Sequence, residues 1–407
     1  MSSEIKHQGD KGILSSDRDM DECWISGDLD SIRYLDADGI DSLKKAHLDD
    51  GLSERGLFPQ YAELHCHTNY SFKEGASEGW HILETARHMG MRAIAITDHD
   101  NLCGAMEFAQ YANTIGIKAI IGVELTLNTP SLSGLGGHHV TLLAENIDGY
   151  KNICRLVSHA HLNSEDRNSP ALDPELFAKH HVGVICLSGC RRGEISELLM
   201  AGHYQRARII AERYISWFGA DNFFLEMQQN LVKGDTPRNK LIAELGIDIG
   251  VENVATNNVH YHVKERHRLN DALTAIRLGR SLEETHAERR PNDQFYLKTP
   301  RDMAKLFVGY REAIANTAII ADRCEFDLMK DIKRIYSFPD YEVPQGHSSI
   351  SWLRHICEQA AKYKYAHADE ELWTRLKDRL KREFGMIEKF NLAGFLLQYH
   401  DIIKMAQ

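Results

Sequence analysis

A seven-stranded α/β barrel followed by a mostly helical segment is the fold this sequence predicts, on three observations. From about residue 61 to 261, short apolar runs alternate with stretches of helical spacing. Nearly every one of those runs carries a His, Glu or Cys at one end. After Tyr261 the strand-like runs stop and helical periodicity takes over. Strand alternating with helix argues for parallel pairing, and ligand-type residues at strand C-termini argue for chemistry at the face where those ends gather.

The elements follow in order. Residues 1–57 are polar, weakly periodic and acidic, with Asp and Glu outnumbering Lys and Arg about two to one up to residue 55, and read as a poorly ordered extension. A barrel is expected over 58–265. Its strands are 62–65, 92–97, 118–127, 139–144, 182–187, 222–227 and 251–256. Helical spacing appears over 78–89 and over 104–114, the latter closed by Gly116. A helical region is expected over 266–407, with helices at 272–278, 300–307, 311–324, 352–363 and 370–390 and an irregular connector at 337–344 holding two prolines. The chain ends at Gln407 within text that still reads as helix, which gives the expectation of an interrupted reading frame.

Bulk properties exclude some classes. A chain of 407 residues, 43% hydrophobic, buries a substantial core. No apolar run reaches the roughly 20 residues that span a bilayer, and the first residues hold no apolar signal core. Eight cysteines without CxxC spacing point to reduced thiols and a cytoplasmic location. A net charge of −11 argues against an overall electrostatic grip on nucleic acid, though local basic patches at Arg191, Arg192, Arg289 and Arg290 are candidate DNA or phosphate contacts. Each of those pairs reads equally well as solvated surface.

The strand ends carry the chemistry. His65 and His67 stand at i and i+2, where a curling chain turns both imidazoles toward one ion. Asp98-His99-Asp100 follows an apolar strand; Asp98 also reads as a cap for the next helix. Glu124 reads as a ligand or the partner of a lysine, His139 as a ligand at a strand edge, and Cys190 as a ligand or a buried thiol. Asn258 and His260 repeat the first pair's spacing at the last strand. Each is weak alone; their recurrence at strand ends points to a multi-metal hydrolytic site.

The stretches 63–67, 71–77, 95–100, 121–125, 188–190 and 256–261 resemble the motifs of the polymerase-and-histidinol-phosphatase (PHP) domain, and more closely the N-terminal region of bacterial DNA polymerase III alpha subunits. Residues 189–194 and 290–292 are most similar to the error-prone branch. The resemblance implies a distorted (β/α)7 barrel binding two to three divalent ions, zinc or manganese. It allots His65 and His67 to the first ion, Glu124 as a bridge, His139 and Cys190 to the second, and Glu74, His99 and His260 to the third. Two positions depart from the family: Asn258 stands where Asp is usual, and Glu74 where Asp is frequent. Loss of one negative charge at 258 leaves catalytic competence open.

The resemblance also implies DNA and other polymerase or translesion subunits as partners, and phosphoester hydrolysis or 3′→5′ exonuclease action. Residues 266–407 would correspond to the start of a thumb and palm. No Asp-x-Asp pair follows Tyr261 in the context of a polymerase palm, and Asp36-Ala37-Asp38 lies in the acidic extension. The chain is therefore expected to lack a polymerase site of its own. Two alternatives stay open: a catalytically inactive scaffold, and a free-standing small-molecule phosphatase, against which the helices after Ala272 argue.

Overall fold

The computed structural model describes residues 60–407 apart from 133, 135, 165, 167, 168 and 336–340. The acidic extension expected over 1–57 lies outside the described residues. Six strands form one curled sheet in sequence order: β1 (Ala93–Ile96), β2 (Lys118–Leu127), β3 (His138–Ala144), β4 (Val184–Leu187), β5 (Phe223–Gln228) and β6 (Asn253–Thr256). The seventh strand, expected at 62–65, is reduced to isolated parallel bridges, Glu63 to Ile94 on one side and Cys66 to Val259 on the other. Side chains take over part of its ladder. The Cys66 amide donates to Thr97 Oγ1 at 2.9 Å, and the Asn257 amide donates to the Glu63 carboxylate at 3.1 Å. The segment still lies between the first and last strands, so it closes the sheet into the expected barrel.

The expectation of uniformly parallel pairing needs correction at β3. Strand β3 is antiparallel to both β2 and β4, whereas β1–β2, β4–β5 and β5–β6 are parallel. The physical reason is the connection. None of the described residues in 128–137 is helical, and a chain that reverses without a crossover must pair antiparallel. With β3 reversed, its first residues, His138 and His139, arrive at the same mouth as the last residues of the other strands. His139 is therefore a site residue at a strand's beginning, not its C-terminal end.

Helices cover the outside. They are α1 (Gly79–His88), α2 (Ala105–Ile115), α3 (Ile147–Asn163), α4 (Glu194–Met200), α5 (Tyr204–Phe218) and α6 (Asp235–Ile249), followed by α7 (His267–Leu278), α8 (Pro300–Leu306) and α9 (Arg311–Arg323). Opposite the mouth, Ala62, Ala93, Ile120, Leu143, Ile185 and Val254 pack with Ile320 and Ala321 of α9 and with Cys324 just past its end. Fully burying each large aliphatic side chain there contributes roughly 2 kcal/mol. Thr317 of α9 accepts from the Ala62 amide at 3.1 Å, which ties this helix to the closing segment. That is why α7–α9, expected with the helical region, fall in the compact unit that ends at Glu325.

The second unit is Phe326–Gln407. It contains α10 (Leu328–Ile335), α11 (Ser349–Lys364), α12 (Glu370–Lys389) and α13 (Ala393–Ala406). Leu353, Phe384, Ala393 and Leu397 form its small buried core. Ser348 and Ser351 make a reciprocal capping box for α11, and Asp369 caps α12 by accepting from the Leu372 amide. No helix among the described residues is long and apolar enough to cross a membrane.

Candidate metal centre

Glu124, on β2 and 1% exposed, is the hub of the mouth. Its two carboxylate oxygens face four imidazoles. Oε1 lies 3.3 Å from His65 Nε2 and 3.2 Å from His139 Nδ1. Oε2 lies 3.4 Å from His67 Nε2 and 3.1 Å from His99 Nε2. Two convergent triads result, His65–His67–Glu124 and His99–Glu124–His139, each with donor atoms within 4.8 Å of one another. His65 Nε2, His67 Nε2 and Glu124 Oε1 are buried without a hydrogen-bond partner. Buried polar atoms are ordinarily satisfied. Orphaned donors aimed at a common point fit a divalent ion, and the imidazole–carboxylate set suits zinc, manganese or iron.

The tautomers are set from behind. His65 Nδ1 lies 2.7 Å from Glu226 Oε1, a carboxylate that can only accept, so Nδ1 carries the proton. His67 Nδ1 lies 2.9 Å from Ser71 Oγ, and that hydroxyl already donates to Asp98 Oδ1 at 2.6 Å. Nδ1 of His67 is therefore also the donor. In the neutral rings both Nε2 lone pairs are left pointing at Glu124, as a metal site requires. Asp98 does not cap the next helix: it accepts from the amides and hydroxyls of Thr68 and Ser71 and holds the 68–71 turn.

Charge is shared unevenly. Burial alone would raise the Glu124 carboxyl, but His139, His99 and His65 outweigh it and hold it well below the usual carboxylate range. Burial opposes a charged His65, yet Glu226 and Glu124 lift it well above an ordinary imidazole. His99 is raised to about 9, against its burial, by Glu124 and Glu74. Burial and His99 push His67 well below its ordinary value. An ion binding between them displaces protons, which makes affinity fall in acid.

The remaining expected ligands are placed differently. His99, allotted to a third ion, also lies 3.2 Å from Glu74 Oε2, so Glu74 joins the cluster through it. Cys190 Sγ is 3.7 Å from His139 Nδ1, and burial raises its thiol well above the ordinary value. Gly189, at φ +89°, brings the 188–190 turn to the start of β3; a Cβ there would meet the His139 carbonyl at 2.0 Å. His260 stacks on His67 with ring centroids 4.3 Å apart, but its Nε2 faces Arg290 Nη2 at 2.5 Å. Asn258, at φ 50°, buries an Oδ1 without a partner. Arg191, Arg192, Arg277, Arg289 and Arg290 line the same cavity of ≈ 250 Å³ as Glu124, His139 and His260.

Sequence reasoning missed Glu226, Ser71 and Arg277. Glu226 had a signal: it is the one carboxylate in the apolar run Phe223–Gln228, and a charge inside a buried strand requires a partner. Arg277 had none, since it is one more arginine on an amphipathic helix.

Residues 63–230 match the family described as the PHP domain. An error-prone DNA polymerase of Symbiobacterium thermophilum is 35% identical over 362 residues, covering 85% of this chain and 32% of that protein. An error-prone DNA polymerase of Cutibacterium acnes is 35% identical over 353 residues, covering 85% of this chain and 30% of the other. A DNA polymerase III subunit alpha of Treponema pallidum is 34% identical over 355 residues, with the same two coverages of 85% and 30%. The chain thus spans about a third of the length of these curated relatives. Among solved structures, a metal-dependent phosphoesterase from Bifidobacterium adolescentis overlaps 50% of this chain and 89% of its own at 16% identity and a TM-score of 0.35, too slight a likeness to build on.

Proposed function

Residues 63–230 of this chain are a PHP domain, the chain is a relative of error-prone DNA polymerases and DNA polymerase III alpha subunits, and from that premise we propose that it is the metal-binding part of such a polymerase and hydrolyses phosphodiesters at DNA 3′ ends. The observation that carries the reading is the set of orphaned donors, His65 Nε2, His67 Nε2 and Glu124 Oε1, buried and convergent. Bound divalent ions supply a lowered water pKa and Lewis-acid stabilisation of phosphoryl charge. His65, His67 and Glu124 would hold one ion; His99, Glu124 and His139 a second, with Cys190 close enough to favour zinc there.

The chain's own residues do the rest. Glu226 and Ser71 fix the ring orientation of His65 and His67. Arg191, Arg192 and Arg289 line the cavity and offer guanidinium donors to a phosphodiester. Polymerase or translesion subunits are the proposed partners, in the cytoplasm, and DNA synthesis is assigned to parts of a longer polymerase that carry the palm carboxylates.

The test is metal analysis of protein purified without chelators, followed by hydrolysis of a nitrophenyl phosphodiester and of 3′-ended DNA. Bound zinc or manganese with activity lost in His65→Ala is the expected result. A folded protein with less than about half an equivalent of metal would instead favour a scaffold role. Asn258 and the arginine on His260 are the observations on that side.

A further inference from the structure

The cavity holds a charge arrangement that the ligand set alone does not explain. The residues allotted by resemblance to a third ion are Glu74, His99 and His260, with Asn258 where a carboxylate is usual. His260 Nε2 is engaged by Arg290 Nη2 at 2.5 Å. The Arg290 guanidinium is fixed from its other side by Phe295, whose ring centroid lies 4.6 Å away. Glu74 is engaged twice, by His99 through Oε2 and by Arg277 of α7 through Oε1. Arg277 and Arg290 both line the cavity with Glu74 and Asn258.

The carboxylate that belongs to that position alone is Glu74, since Glu124, which also reaches His99, is shared by both triads, and two guanidiniums stand against it. An amide at Asn258 adds no compensation. A divalent cation placed there would meet two fixed like charges, and the imidazole it needs already accepts a hydrogen bond. The Glu124 side of the cavity differs: there two sets of three donors converge around one carboxylate. No such set forms among the described residues around Glu74 and His260, although Asn258 Oδ1 and His260 Nδ1 are also unpartnered. A guanidinium is permanently charged and presents planar paired donors, so it can replace the charge of an ion though not its Lewis acidity.

We propose that this centre holds two ions, and that Arg290, backed by Arg277, takes the place of a third. This rests on the metal-dependent reading above and sharpens it. The arginine would bind a non-bridging phosphoryl oxygen where a metal would otherwise bind it.

The test is metal stoichiometry by native mass spectrometry and elemental analysis, in zinc and separately in manganese, on the full chain. The parent protein is expected to take two equivalents. Arg290→Met, which keeps an apolar stem over Phe295, is expected to take a third, and Arg290→Ala serves if the first variant melts early. The double variant Asn258→Asp with Arg290→Met should bind that third ion at least ten times more tightly than Arg290→Met alone. Three equivalents in the parent would overturn the inference while leaving the metal-dependent function standing. Two equivalents in the parent and in all variants would overturn it as well, because something other than Arg290 would then limit the count. No metal in any of them would remove the functional reading itself and this inference with it.

Discussion

The two walls of the cavity are built by different means. One wall comes from strand ends, where His99, Glu124 and His139 line the cavity and His65 and His67 of the closing segment are buried against Glu124, each placed by a backbone ladder or a carboxylate behind it. The other comes from a helix and loops: Arg192 and Arg277 are exposed and Arg191, Arg289 and Arg290 half-buried, with Arg191, Arg277 and Arg289 on carboxylates or a carbonyl and Arg290 between His260 and Phe295. The first wall needs sub-ångström precision for coordination, and a sheet supplies it. The second, in the proposed function, needs only charge within reach of a phosphate, for which loops are adequate. Metal affinity and substrate affinity should therefore respond to separate sets of substitutions.

Glu124→Gln is the severest way to break that separation, because both triads share this carboxylate. Loss of at least 100-fold in metal affinity at both positions is expected, read by competition with a fluorescent chelator; retention of either ion would mean that the triads do not share Glu124. Glu226→Gln acts one layer back. It leaves His65 Nδ1 without its anionic acceptor and should weaken metal binding by about 10- to 100-fold while leaving the fold intact. Arg191→Ala with Arg192→Ala tests the other wall: metal content should be unchanged, while KM for single-stranded DNA rises about tenfold and its salt dependence flattens. A fall in metal content in that variant would show the walls to be coupled.

The smallest effect lies outside both walls. His81 on α1 is 7% exposed, stacks on His262 at 4.7 Å, and has an unpartnered Nδ1. Burial and then Arg266 lower its pKa to about 4. The unfolded chain takes up a proton near pH 6.5 that the folded chain refuses until about pH 4. Stability from this group is therefore complete above pH 6.5 and lost as pH falls toward 4, by about 2 kcal/mol at pH 5. Urea titrations of the parent and of His81→Gln at pH 7.5 and 5.0 measure the difference. Equal pH slopes in the two would count against this assignment.

What was legible in the sequence follows the same division. The strand wall could be read because hydrophobic runs have a fixed period and end visibly, so His65, His67, His99, Glu124 and His139 stood out as polar residues at the edges of apolar text. The direction of β3 could not be read, since apolar runs look alike in either sense and the Gly- and Ser-rich text of 128–137, with no helical spacing, was a weak hint. Asp98 was misjudged because a carboxylate after a strand caps helices more often than it binds a turn behind it. The arginine wall was half legible: Arg191, Arg192, Arg289 and Arg290 were visible as charges. That Arg290 turns inward onto His260 depends on Phe295 and the 290–295 loop, which no periodicity encodes.

The barrel's seam runs through its chemistry. Glu63 reaches Asn257 across 194 residues of chain, and His65 and His67 lie on the segment that these contacts hold in place. Loop-closure entropy makes so distant a pairing late in folding. The β1 side of the seam is local by contrast, with the Ala95 and Thr97 amides donating to the Glu63 and Cys66 carbonyls. A chain that has made β1 and β2 therefore already brings both histidines beside Glu124, and the late closure adds the backing of the Val259 and Asn257 contacts. Ion uptake during refolding would then begin before the final closure and tighten with it.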